Sequence, residues 1–108
     1  MSENQLLAMI RRDAKRISKS FRLKYLAVEK ELPQVRRRFG SCDESKLIRI
    51  RLHKLRDGRF LTYPHLIHTL CHEMAHLKFM DHGKEFKNLN SEILDWAKQT
   101  GIYRPWQG

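Results

Sequence analysis

At 108 residues with an ordinary 41% of apolar side chains, the chain suits one small folded domain, spanning 1–108, rather than a disordered tail. No apolar run approaches a membrane span, and the opening MSENQLLAMIRR lacks a secretory pattern, so an intracellular protein is expected. The net charge of +10 is unevenly spread: residues 1–59 hold 17 Lys/Arg against 7 Asp/Glu, whereas residues 60–108 hold 5 of each, an asymmetry that points to a polyanion such as nucleic acid.

In residues 3–20, Leu6, Ile10, Ala14, Ile17 and Phe21 recur at helical spacing, with Ser2 as N-cap and Gln5 completing a capping box. Arg11, Arg12, Lys15, Arg16 and Lys19 occupy the outer side of this predicted helix. FRLKYLAVE is rich in strand formers and reads as a strand over 22–29, ended by Pro33. RRRFGSCDESK follows, with turn chemistry at Gly40, Ser41 and Asp43 and a second basic cluster at Arg36, Arg37 and Arg38. LIRIRL (47–52) alternates, with Ile48, Ile50 and Leu52 on one face and Arg49 and Arg51 on the other, as a half-buried strand does. After the RDGR turn, Pro64 opens a helix expected to run to about Met80. A last helix is expected over 84–99, with Phe86, Leu89, Ile93 and Trp96 inward and Gly101 as its stop. Cys42 and Cys71 form no CxxC pair and suit a reducing compartment; Cys71 falls inside an apolar helical pattern.

The chemistry is concentrated in HEMAHLKFMDHGKEF, residues 72–86. At 100° per residue, His76 lies about 40° from His72 and one turn above it, opposite the face of Ile67, Leu70, Met74 and Leu77. Two imidazoles so placed can share one ion at bond lengths of about 2.0–2.1 Å, and Glu73 flanks both, placed to act as a base on water. His-Glu-x-x-His leaves a zinc ion one protein ligand short. Asp81, Glu85 or an N-terminal histidine would be alternatives, but His82 sits at the helix break beside Gly83, and six residues span up to roughly 20 Å. The site is therefore read as one Zn²⁺ per chain on His72, His76 and His82, with Glu73 catalytic. His65 and His68 share that helix face and read as ordinary polar groups. Tyr63 and Tyr103 are the tyrosines considered as a transition-state electrophile, each more simply explained by packing.

TLCHEMAHLKFMDHGKEF resembles the active-site segment of the SprT-like and WLM families of minimal zinc metalloproteases, which include Spartan-related DNA–protein crosslink proteases. LIRIRL, the turn and FLTYPHLIHTL resemble the strand, loop and helix of the WLM pattern, and NLNSEILDWAKQTGIY resembles the closing helix. RRFGSCDESK and the spacing of the histidines are also similar to YgjP-like metallopeptidases. The likeness covers about residues 45–103 well and 5–40 loosely. It implies an α+β, zincin-like domain: N-terminal helix, short antiparallel sheet, HExxH helix and C-terminal helix. It implies the same zinc ligands and the same glutamate. It further implies DNA-stimulated proteolysis of proteins on DNA. The basic first half supports this independently: Arg11, Arg12, Lys15, Arg16 and Lys19 form one candidate phosphate-binding face and Arg36, Arg37 and Arg38 a second, expected to hold single-stranded or mixed DNA regardless of sequence.

A monomer without membrane contact is expected, nuclear in a eukaryote and otherwise cytoplasmic. A strand edge at 47–52 is a further expectation, as the place where an extended peptide would add. The rival readings are a small metallopeptidase without nucleic acid and a non-catalytic zinc module that binds DNA. The second explains less, because closed zinc sites use four side-chain ligands and have no need of Glu73.

Overall fold

The computed structural model describes residues 1–107. Helix α1 (Glu3–Phe21) starts at the expected capping box: the Ser2 hydroxyl accepts the Gln5 N–H, and the Gln5 side chain accepts the Ser2 N–H. It ends at Arg22, whose backbone is left-handed at φ 55° and turns the chain off the helix axis. That turn consumes the first half of the strand expected at 22–29, so β1 covers only Ala27–Lys30.

The segment read as turn chemistry contains a strand, β2 (Gly40–Cys42). The turn itself is tighter and lies at Asp43, whose side chain accepts the N–H of Ser45 and of Leu47, with Lys46 left-handed at φ 68°. It folds β2 back on β3 (Leu47–Ile50) as an antiparallel hairpin, pairing Gly40 with Ile50 and Cys42 with Ile48.

The hairpin inserts β3 beside β1, and those two strands run parallel, Val28 opposite Ile48. The sheet order β1-β3-β2 is thus mixed rather than wholly antiparallel. It also removes the expected free edge at 47–52, because β3 is the central strand with both sides paired; the outer strands are β1 and β2.

Helix α2 (Tyr63–His76) is capped by Thr62, whose hydroxyl accepts the His65 N–H, with Pro64 in the first turn where its missing N–H costs nothing. Leu66, Ile67, Leu70, Cys71, Met74 and Ala75 are buried on α2, against Leu6, Ile10, Ala14 and Ile17 of α1 and Val28, Ile48 and Ile50 of the sheet. Each Leu, Ile, Val and Met among these contributes roughly 1.5–3 kcal/mol by leaving water. Helix α3 (Lys84–Gln99) closes the core with Phe86, Ile93 and Ala97 and stops before Gly101, left-handed at φ 81°. Arg51, expected on the solvent side, is buried: its guanidinium lies 5.2 Å from the Phe39 ring and donates to the Val35 carbonyl. No helix among the described residues is long and apolar enough to cross a membrane.

Candidate active site

Helix α2 stops four residues short of its expected end, and that early stop builds the site. The Leu77, Lys78 and Phe79 N–H groups turn back onto the carbonyls of Met74 and Ala75. The tightened turn brings the Phe79 carbonyl beneath His76, which donates to it from Nδ1 at 3.0 Å. The His76 Nε2 lone pair is thereby left bare and aimed outward, the tautomer a metal ligand requires.

The chain then reverses through Asp81, whose carboxylate accepts the Gly83 N–H at 3.1 Å. Gly83 is the N-cap of α3 at φ −74°, an angle open to any residue, so the reversal rests on the aspartate rather than on glycine's backbone freedom, although a Cβ here would press on Asp81 Oδ1 at 3.1 Å.

The result is a triangle. The Nε2 atoms of His72 and His76 are 3.2 Å apart, those of His76 and His82 3.1 Å, and those of His82 and His72 3.2 Å. Ligands of a tetrahedral ion at about 2.0–2.1 Å stand about 3.3–3.4 Å from one another, so the donor set fits zinc. Three imidazole lone pairs converging on one point repel each other unless a cation sits between them. Burial first, then His76 and His82, push His72 down to about 4, keeping it neutral.

Phe86, expected merely to face inward, forms the floor: its ring stacks on His76 at 4.3 Å and meets His72 and His82 edge-on at 4.9 and 5.0 Å. His65 packs on Phe39 and His68 on Tyr103, and neither joins the cluster.

Glu73 is 6% exposed on the flank of the triangle. Burial raises its carboxyl to about 7, with Arg38 pulling down and Glu31 pushing up. A shallow pocket of about 250 Å³ joins Glu73 and the three histidines to β2 (Gly40, Ser41, Cys42), Met80 and Arg38. Arg38, grouped in the sequence with two neighbouring arginines as a DNA contact, thus lines this pocket. Its Nε donates to the buried Glu31 carboxylate at 3.2 Å, although its side chain is itself exposed, as are those of Arg36 and Arg37. Nothing in the local sequence separates the three.

The basic face of α1 also divides. Arg11 turns to the sheet, donating to the Val28 carbonyl and Glu29. Arg12 and Arg16 turn the other way, onto buried Asp13. Lys15 and Lys19 are exposed. The Tyr63 hydroxyl donates to Asp13 at 2.6 Å, at the far end of α2 from the triangle. Burial, then Asp13, hold its pKa far above the usual phenol range.

The WLM domain model matches residues 2–104. Wss1 from Saccharomyces cerevisiae superposes with a TM-score of 0.79 at 26% identity, over 89% of this chain and 79% of that one. A mutant form of the same protein gives 0.80 at 25%, over 92% and 82%. A mutant Wss1 from S. pombe, at 23% identity and a TM-score of 0.68 over 84% and 80%, shares the fold. No curated protein matches the chain. With the family pattern spanning nearly every described element, from α1 to the end of the core, the chain belongs to the WLM domain family.

Proposed function

We propose that this protein is a zinc-dependent endopeptidase that cleaves proteins bound or crosslinked to DNA. The observation that carries the reading is the triangle of three Nε2 atoms with a buried glutamate beside it, open to solvent through a shallow pocket. A non-catalytic zinc module would close a fourth ligand onto the ion. Among the described residues the cluster offers three.

His72, His76 and His82 would hold the ion, and zinc there supplies Lewis acidity that polarises a carbonyl and makes water more acidic. Glu73 takes the proton of the attacking water and returns it to the leaving amine. Its burial, which raises the carboxyl to about 7, suits a base that works near neutrality. The outer side of β2 has no strand partner among the described residues, and Gly40–Cys42 line the pocket. An extended substrate segment adds there as a fourth strand, in place of the edge once expected at 47–52. Arg38 sits on the wall where such a segment passes.

DNA enters the reading through two supports: the likeness to Wss1 and the charge concentrated in residues 1–59. Arg11, Arg12, Lys15, Arg16, Lys19, Arg36, Arg37 and Arg38 are all exposed; Arg11 and Arg38 are tied to Glu29 and Glu31, which leaves Arg12, Lys15, Arg16, Lys19, Arg36 and Arg37 as the favoured candidates for phosphate contact. An intracellular setting, nuclear in a eukaryote, follows from a DNA-bound substrate. The test is proteolysis of a DNA-crosslinked protein with and without single-stranded DNA. Cleavage that is zinc-dependent and DNA-stimulated supports the proposal; zinc-dependent cleavage indifferent to DNA replaces it with a general small metallopeptidase.

A further inference from the structure

At the end of α2 opposite the histidines lies a cavity of about 690 Å³ that the peptidase chemistry does not use. It is lined by Arg12 and Arg16 of α1, by Thr62, Tyr63 and Pro64 at the start of α2, and by Arg104. Asp13, 1% exposed, sits behind these groups and organises them. Its carboxylate accepts Tyr63 Oη at 2.6 Å and Arg12 Nε at 3.2 Å, and draws Arg16 Nη1 to 3.7 Å. Arg104 is held separately, its Nε donating to the Gly101 carbonyl at 2.9 Å. Three guanidinium groups against one carboxylate leave the cavity strongly positive. The first turn of α2 adds the positive end of a 14-residue helix. Side chains already fixed by Asp13 and Gly101 lose little freedom when an anion binds.

We propose that this cavity is a second, non-catalytic site that takes the phosphate backbone of a single nucleic-acid strand. The volume falls in the range of about 300–1,000 Å³ typical of ligand sites, enough for a phosphate and part of a nucleoside. A base beside it needs an apolar platform. Trp106 lies outside the cavity lining but only two residues beyond Arg104, in the short turn Pro105–Gln107 that packs on α2, and at 68% exposure it is open to a base of a strand that leaves the cavity. Stacking of this kind requires an unpaired base and tolerates any sequence. An acidic peptide would satisfy the arginines but not the tryptophan. His72 and His76 lie 9 and 13 residues along α2 from Tyr63, which at about 1.5 Å each places the strand roughly 14–20 Å from the histidine triangle, so the site holds DNA while a protein attached to it reaches the pocket.

The inference rests on the DNA-linked reading above, and the experiment separates the two. Binding of a labelled 12-nucleotide single strand is measured across a salt series for the wild type and for three variants. In Arg12→Gln/Arg104→Gln, the glutamine at 12 can still donate to Asp13. Affinity should fall about 10-fold or more and the salt slope by about 1.4, at 0.7 counterion per phosphate. Trp106→Leu should weaken binding roughly 5-fold or more and abolish the quenching of tryptophan fluorescence by the strand. Arg36→Gln/Arg37→Gln should leave the quenching intact. Zinc content and melting temperature check that each variant is folded. A wild type that binds while Arg12→Gln/Arg104→Gln binds equally, with the same slope, overturns the site alone. A wild type that binds no strand at low salt overturns the site and the DNA reading together. A mononucleotide or an acidic peptide that binds as tightly as the strand overturns the ligand assignment.

Discussion

Gly40 of β2 lies directly on Glu73 of α2. A methyl group at position 40 would meet the Glu73 Cγ at 3.3 Å, the Arg49 carbonyl oxygen at 2.9 Å and the Thr69 Cγ2 at 2.7 Å. The absence of a side chain at one residue lets the edge strand press against the helix that carries Glu73. Gly40→Ala must therefore move β2 or Glu73. We expect a loss of about 1–3 kcal/mol in stability, the usual range for overpacking. Peptidase activity should fall while zinc content holds, because no histidine lies among the atoms the methyl would meet. Thermal melts alongside elemental analysis check this; an unchanged melting temperature would mean β2 yields freely.

Glu73→Gln keeps the size of the side chain and removes the proposed base. Zinc content should match the wild type, and the melting temperature should not drop, since a buried charge is replaced by a neutral amide. Proteolysis should decline by at least ~10²-fold, the lower end for loss of general base catalysis. Full activity in this variant would dismiss the assigned role.

The parts of this arrangement differed in how far the sequence revealed them. Helices announce themselves by period and by caps, so Ser2, Gln5, Pro64 and Gly101 located three helix ends closely. The cluster of His72, His76 and His82 was legible because two of the histidines are one turn apart on a single helix and the third follows six residues later. β2 was not legible: Gly-Ser-Cys is three residues of turn-like composition, and only its pairing with β3 makes it a strand. Without β2 the sheet order could not be read, and the parallel pairing of β1 with β3 went unseen. Phe86 beneath all three imidazoles, and Arg38 parted from Arg36 and Arg37, are consequences of tertiary packing with no local signature.

Metal and fold should be coupled at His82. The residue is exposed and sits on a loop, so His82→Ala disturbs little packing. It removes one of three donors. The variant should bind zinc far more weakly, and chelation should lower the wild-type melting temperature, because the ion binds only the folded triangle. The variant should melt close to the chelated wild type. Zinc content equal to wild type would show that another group closes the site.

Tyr63→Phe removes one hydroxyl 2.6 Å from Asp13. The carboxylate stays buried with one donor fewer, which costs about 1–3 kcal/mol. A lower melting temperature with intact zinc content is the expected pair of results. Unchanged stability would mean that water replaces the hydroxyl and that Asp13 does not depend on it.

Arg38 separates two uses of a basic side chain. As a phosphate contact it would act with Arg36 and Arg37, and its loss would lower both DNA affinity and the salt slope. As a wall of the pocket beside Glu73 it would act on the substrate held there. The Nε bond to buried Glu31 favours the second, because it aims the guanidinium into the pocket rather than along the surface. Arg38→Gln should therefore leave the DNA salt slope unchanged and lower kcat/KM for a free peptide. It also strips a partner from a carboxylate whose side chain is 2% exposed, so stability will fall as well. The arginine itself is 53% exposed, which solvent screening discounts, so the loss should be about 1–2 kcal/mol. A second variant removes that ambiguity. Glu31→Gln/Arg38→Gln takes away the unpaired charge and should recover most of the melting temperature. If activity stays low in the refolded background, Arg38 acts in the pocket. If activity returns with stability, its role is only to neutralise Glu31.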